Sequence, residues 1–525
     1  MRLNKDIIKK WLLPVVILFF ACLIILGSSP LYKTNPWTDS NAMLTMGKSM
    51  LHGIVPYRDI IDQRGPVLYL IFAIGSLFSK TSFFGVFLLQ LINIGIIYYL
   101  SWKIAQDFKL RIFKPEWAAL LGPVALFSTS ALMFSGAPEE FAFTSILYLL
   151  YVVNHYHQQI TDIPLKTYFL LGLNLSLVFW SKYSMIGAFA AFFIWVACVL
   201  VTQKSYHQLW QIVKASVLGF LSVTVLVLLY FVFAGALKDL FNIYFVQNMV
   251  SYGSSKQSGF MKFLSLFSFV GQEFRIHFIV VILILLGWVK SIYEKKTVIL
   301  EALMFFGAIV FVALQHWVNE YYNLIWMPFL AIALLRLSNI NLLKKNFNQK
   351  LFLPFKLVLV GFLLFLPFMN NPNLGQLILK GEQTSFNGGH YAAQPKFAKI
   401  MHQETKQPTL LMINDLDEGF YLSANILPTT DYWQRLNMTY KQLPRMYWSF
   451  ERNMREQQVD FVIVKLIGTP AADKNSLYGQ VANSVDKSIY PTLTDNYKVK
   501  SIVQNDPNNS YILFQLKNMN ILPEK

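Results

Sequence analysis

From Trp11 to about residue 369 the chain alternates apolar runs with short polar stretches. Runs near 20 residues with few charges are long enough to cross a bilayer as helices. The pattern predicts about eleven spans, at 11–29, 82–104, 117–134, 141–154, 167–182, 184–202, 213–235, 275–290, 297–315, 322–337 and 355–369. A further apolar piece, 67–79, is short for a crossing and predicts an interfacial helix. In Ser40–Leu51, Met43, Gly47 and Met50 recur at helical spacing, as do Leu44 and Leu51, so this stretch predicts a helix along the membrane surface. Gly53 is its natural stop.

Beyond about residue 370 the pattern changes: charges of both signs appear, and strand and helix periods mix. Thr409–Asn414 and Asp460–Lys465 predict buried strands, Tyr497–Val503 and Ser510–Leu516 alternating ones, and Gln442–Gln458 a helix. The expected architecture is an α-helical polytopic membrane domain, 1–369, followed by a soluble α/β domain, 370–525.

Composition supports this division: 55% of residues are hydrophobic and 14% charged, with a mean hydropathy of +0.44. The net charge of +17 does not call for nucleic acid, because Lys and Arg collect in short loops as the positive-inside rule requires, and no basic helix interleaved with aromatics is present. Lys5, Lys9 and Lys10 place the N-terminus in the cytoplasm. The apolar run after them is long for a signal peptide, and Ser28-Ser29-Pro30 is a poor cleavage site, so the first helix is expected to be retained. The outer loops are then 30–66, 135–140, 182–184, 236–274 and 316–321, and the C-terminal domain is extracytoplasmic. Cys22 and Cys198 both lie in apolar runs and offer neither a disulfide framework nor a metal site.

Candidate chemistry collects in those outer loops. Asp39, Arg58, Asp59, Asp62 and Arg64 crowd the first of them. Ionisable groups beside a bilayer are costly and mark function by default. Asp39 also stands where a helix cap belongs, although Ser40 suits that task as well. Glu139 and Glu140 follow Pro138 in the second outer loop, where they either begin a helix favourably or extend an acidic cavity. Arg58, Arg64, Lys182 and Arg275 oppose the positive-inside trend and therefore need anions, either these carboxylates or a phosphate. His316 and Glu320 share a face if helical, but with no third ligand they are a weak metal signal. No Walker A, G-x-S-x-G or H-E-x-x-H motif occurs.

Taken together these residues resemble the GT-C class of membrane glycosyltransferases, in particular bacterial relatives of the protein O-mannosyltransferases and the lipid A aminoarabinose transferases. The resemblance covers about residues 1–370. It rests on Asp39, on Gly53-Ile54-Val55-Pro56-Tyr57-Arg58-Asp59, on Arg64-Gly65-Pro66-Val67-Leu68-Tyr69, on Pro138-Glu139-Glu140 and on the stretch from His316 to Tyr322 ahead of Pro328. The aminoarabinose transferases often carry Lys-Pro-Pro in place of Arg64-Gly65-Pro66, a change that keeps the charge. Other members follow the first Asp with Glu, where this chain has Ser40.

The resemblance implies transfer, with inversion, of a sugar from a polyprenyl-phosphate donor to a hydroxyl of a glycopolymer, glycolipid or protein at the outer face of a bacterial plasma membrane. Asp39 is then the candidate general base, and Arg58, Arg64, Lys182 and Arg275 the candidates for the donor phosphate. Asp59, Asp62, Glu139, Glu140, His316 and Glu320 are candidates for sugar and acceptor hydroxyls, and Trp37, Tyr321 and Tyr322 for stacking. A divalent metal is compatible with the class, although the sequence offers no ligand set for one. The competing reading is a flippase or transporter of a lipid-linked sugar, which calls for ionisable groups at mid-membrane depth. Glu301 is an isolated residue of that kind.

Overall fold

The computed structural model describes residues 5–32, 35, 37–110, 113–133, 135–252, 259–314, 320–339, 353–354, 356–363, 365 and 392–518. These fall into two compact units. One is built from Met1–Leu26, Leu88–Val227 and Lys256–Asn371, the other from Gly27–Phe87, Leu228–Ser255 and Pro372–Lys525.

The apolar runs form α-helices: α1 Lys5–Ile25, α2 Thr38–Leu51, α3 Pro66–Phe78, α4 Phe84–Asp107, α5 Pro115–Ala118, α6 Leu121–Phe127, α7 Pro138–His155, α8 Leu165–Ser181, α9 Gly187–Thr202, α10 Tyr206–Phe233, α11 Leu237–Leu240, α12 Gly259–Ile276, α13 Phe278–Tyr293, α14 Ile299–Ala313 and α15 Met327–Leu337. Among the described residues, α4 and α10 are long and apolar enough to cross a membrane singly, and α12 with α13 forms a third candidate bent by 89°. Other expected spans, including 184–202, 297–315 and 322–337, are apolar helices of 10–17 residues, shorter than the usual spanning length. The expected span 117–134 is broken into α5, α6 and a 3-10 turn at Ser130–Met133. For the span 355–369 the described residues, 356–363 and 365, are helical, and 355, 364 and 366–369 lie outside the described residues.

Exposure supports a lipid environment. Only 17% of the most apolar window of α10 is buried, and Leu218, Leu226 and Phe233 lie open along it. A continuous apolar stripe of this length is unfavourable in water and suited to hydrocarbon. Small residues bring the helices of this unit together. A Cβ on Gly187 of α9 would sit 2.1 Å from the carbonyl oxygen of Gly307 on α14, so these backbones pack closer than any side chain permits.

The stretch 236–274, expected as an outer loop, has its own secondary structure. It is largely helical, with α11, a π-helical turn system at Phe241–Tyr252 and most of α12. Its polar residues keep it from reading as a span, yet Leu240, Ile243 and Tyr244 are buried, so an amphipathic helix satisfies both faces.

In the second unit, α2 and α3 are helices at the positions expected for 40–51 and 67–79, and the C-terminal residues build a four-stranded sheet of order β1-β2-β4-β3. Its strands are β1 Leu410–Met412, β2 Phe461–Ile467, β3 Tyr497–Asp506 and β4 Asn509–Leu516. β1 pairs parallel with β2, while β4 runs antiparallel to both β2 and β3. All four expected strands are present, and the expected helix 442–458 is Pro444–Arg455. β4 is buried at every position, so it lacks the alternation its sequence suggests: both faces of this inner strand are covered.

Candidate functional site

The turn between α2 and α3 is built around a tight reversal. The N–H of Tyr57 donates to the Ile60 carbonyl at 2.8 Å, and Tyr57 adopts φ 69, a left-handed conformation that bulky residues avoid. Packing secures the strain: the Tyr57 side chain is buried and lies near the rings of Tyr69, Phe231 and Tyr244. Its hydroxyl donates to the Arg64 carbonyl at 2.5 Å, which fixes the chain just where α3 begins.

Three of the predicted residues meet there. Arg64 Nη2 lies 2.8 Å from Asp39 Oδ2, and Nη1 lies 2.5 Å from Asp62 Oδ2. Asp62 Oδ1 also accepts from the Tyr69 hydroxyl at 2.7 Å and from the Arg64 N–H at 3.0 Å. Burial disfavours the Arg64 charge, but the adjacent Asp39 and Asp62 more than compensate, so the guanidinium is held well above its usual range. The two carboxylates differ in access: the Asp62 side chain is 2% exposed, the Asp39 side chain 16%. Asp39 makes no capping hydrogen bond to α2, and Trp37 occupies the cap position instead. The cap reading of Asp39 is thus replaced by ion pairing with Arg64. Trp37 is 3% exposed and packed into its unit. Arg58 and Asp59 stand apart from the triad as an exposed ion pair of 2.7 Å. Hydrogen bonding from Arg58 holds the Asp59 carboxyl below the usual range.

In the first unit, Pro138 opens α7 and puts Glu139 and Glu140 in its first turn, as the Pro-Glu-Glu sequence suggested. Glu139 Oε1 accepts from Lys182 Nζ at 2.6 Å. Lys182 Nζ also lies 3.9 Å from the centre of the Tyr322 ring and 5.4 Å from that of Tyr321, close enough for cation–π attraction. Glu140 instead ties helices together. It accepts from Gln90 Nε2 of α4 at 2.9 Å and from the Gly136 N–H at 2.8 Å. Arg275 is exposed in the last turn of α12. His316 and the side chain of Glu320 lie outside the described residues. Among the described residues, no three or more His, Cys, Asp or Glu groups gather as metal ligands.

Sequence reasoning missed several partners. Tyr69 closes the stretch Arg64–Tyr69, but its bond to Asp62 was not foreseen, although its place one turn into α3 is a signal that helix geometry makes readable. His277, at the bend between α12 and α13, pairs its Nε2 with Asn323 Nδ2 at 2.8 Å, and the Asn323 Oδ1 accepts from Thr129 at 3.0 Å. Gln434 donates to Asp62 Oδ2 at 3.1 Å across 372 residues of sequence, and no local signal announces it.

No protein-family model matches the chain, and no curated protein matches it. Solved structures do. The crystal structure of ArnT from Cupriavidus metallidurans in the apo state matches with a TM-score of 0.62 and 12% identity, over 96% of this chain and 97% of that one. The same protein bound to undecaprenyl phosphate matches with a TM-score of 0.59 and 12% identity, over 99% of both chains. The resemblance to GT-C membrane glycosyltransferases of the aminoarabinose type, first visible in short motifs, thus extends to the fold of nearly the whole chain.

Proposed function

We propose that the chain is an inverting glycosyltransferase that moves a sugar from a polyprenyl-phosphate donor to a hydroxyl of a cell-envelope glycopolymer, glycolipid or protein. The observation that carries this reading is Asp39: a carboxylate oriented by a buried arginine, yet more open than its neighbour Asp62. Such a group suits a general base. It takes the proton of the acceptor hydroxyl as that oxygen attacks the anomeric carbon. The bond from that carbon to the phosphate oxygen breaks, and its electron pair stays on the phosphate. The new bond forms on the opposite face, which inverts the configuration.

The leaving phosphate needs cations. Lys182, Arg58 and Arg275 are the candidates. Arg64 already faces two carboxylates, so its first task is to hold Asp39. Glu139, linked to Lys182, and the rings of Tyr321 and Tyr322 are candidates for sugar contacts. The crystallised ArnT holds undecaprenyl phosphate in a fold of this kind, which supports a lipid-phosphate donor here. The reading also keeps the sequence-derived topology: a multi-pass plasma-membrane body over 1–369 with about eleven crossings, a cytoplasmic N-terminus, and the domain 370–525 outside.

Purified protein in lipid, given undecaprenyl-phosphate sugars and envelope acceptors, tests this. Asp39→Asn is expected to lower kcat by about 10²–10⁴-fold while donor binding persists. Undiminished transfer by that variant removes Asp39 as the base. Movement of lipid-linked sugar across the membrane without acceptor favours the flippase instead.

A further inference from the structure

We infer that Gln434, in the C-terminal part of the chain, is a positioning residue for Asp39, acting through Asp62 and Arg64; this rests on the transferase reading above. The side chain of Gln434 is fully buried. Its Oε1 accepts from the Asp417 N–H at 2.8 Å, which settles the amide orientation and leaves Nε2 as the donor. That Nε2 reaches Asp62 Oδ2 at 3.1 Å. Asp62 in turn binds Arg64 through Nη1, and Arg64 binds Asp39 through Nη2. A continuous chain of polar contacts, buried at Gln434 and Asp62 and partly buried at Arg64 and Asp39, therefore runs from a backbone amide of the C-terminal part to the candidate base.

Two neighbouring contacts hold the same surfaces in register. The Ile61 N–H donates to the Asp431 carbonyl at 2.8 Å, and Lys48 of α2 donates to Asn425 Oδ1 at 2.7 Å. The turn after α2 and the helix that carries Asp39 are thus both fastened to the C-terminal part. The division within the unit supports this: residues 27–87 cluster with 372–525 as one compact body. An Asp62 that lost the Gln434 donor would keep its charge and its Oδ1 contacts, but its Oδ2 would be held by Arg64 alone. Arg64 would then be free to swing wholly toward one carboxylate, and Asp39 would lose the orientation a near-attack geometry needs.

The test uses the full chain in lipid nanodiscs, with two variants and two readouts. Gln434→Met keeps the length and removes both hydrogen bonds. Gln434→Glu keeps an acceptor for Asp417, but when ionised it repels Asp62; once protonated, the introduced carboxyl donates to Asp62 in place of the amide. Transfer from an undecaprenyl-phosphate sugar is expected to fall on the order of tenfold in kcat for both at neutral pH, with KM for the donor unchanged. Only Gln434→Glu is expected to recover relative to wild type as pH is lowered. Hydrogen exchange read on the same samples is expected to show faster exchange at the Tyr57 and Arg64 amides in Gln434→Met. Unchanged protection there overturns the inference, as does faster exchange with an unchanged kcat. Should Gln434→Met not fold, the pH recovery of Gln434→Glu decides alone: recovery supports the inference and a parallel pH profile overturns it. A wild-type chain that transfers no sugar defeats the transferase reading, while the exchange measurement still decides whether Gln434 holds the loop.

Discussion

Glu301 is the residue on which the transporter reading leans, and its surroundings make a quantitative prediction. It is fully buried on α14. Arg336 of α15 grips it with two hydrogen bonds, Nη2 to Oε2 at 2.6 Å and Nη1 to Oε1 at 3.1 Å. Trp288 Nε1 adds a third at 2.7 Å, and Arg336 also donates to Asn154 Oδ1 at 2.8 Å. These contacts link α7, α13, α14 and α15, so the pair reads as a strut joining them. Glu301→Gln leaves the Arg336 charge buried without a counter-charge, a change that typically costs about 3–5 kcal/mol. Adding Arg336→Met removes that orphan charge, while the introduced amide still accepts from Trp288. The double variant is expected to return to within about 1–2 kcal/mol of wild type, since replacing a whole buried pair is often neutral. Denaturant unfolding in mixed micelles measures both, and sugar transfer is assayed alongside. Glu301→Gln as stable as wild type would refute the strut. So would a well-folded double variant that no longer transfers sugar, because the charges would then be serving function.

Two further expectations concern the second unit. A Cβ at Gly47 of α2 would lie 2.5 Å from the Ala73 nitrogen and 2.5 Å from the Phe72 carbonyl carbon on α3; Gly47→Ala must push these helices apart and is expected to cost about 1–3 kcal/mol as overpacking, read as a lower melting temperature, whereas an unshifted melt argues against the close approach. Burial pushes the Asp417 carboxyl up to about 7, despite hydrogen bonds from the N–H groups of Phe420, Tyr421 and Gly419. Since the folded form binds this proton more tightly than the unfolded chain, with its ordinary value of 3.8, the group's contribution to stability falls as pH rises from about 4 to about 7 and stays low above that. Melting curves between pH 5 and 8 are therefore expected to decline more steeply for wild type than for Asp417→Asn, and parallel declines would remove Asp417 from the account.

The sequence by itself determined the elements whose signal is local. Apolar length marks helices such as α4 and α10, the strand β2 follows from a short apolar run, and β4 from a stretch read as alternating. It also pointed to the loop where the charged candidates collect, because three Asp and two Arg stand out against so apolar a chain. Hydropathy did not resolve the breaks, such as the 89° bend at His277 or the interrupted helix around Leu121. A broken helix has the same mean hydropathy as a straight one; packing and local hydrogen bonds decide between them.

Tertiary structure alone decided what each charge does. The sequence offers Asp39 as a base, Arg64 for phosphate and Asp62 for sugar or acceptor hydroxyls, with nothing to show that the three pair. Only folding makes Asp62 the buried anchor, Arg64 the bridge and Asp39 the accessible group. Glu139 and Glu140 are neighbours in sequence, yet the helical turn sends one to Lys182 and the other to Gln90. Gln434 reaches Asp62 from 372 residues away. A charge takes its role from the partners and the solvent it meets, and in a folded chain most of those partners come from far along the sequence.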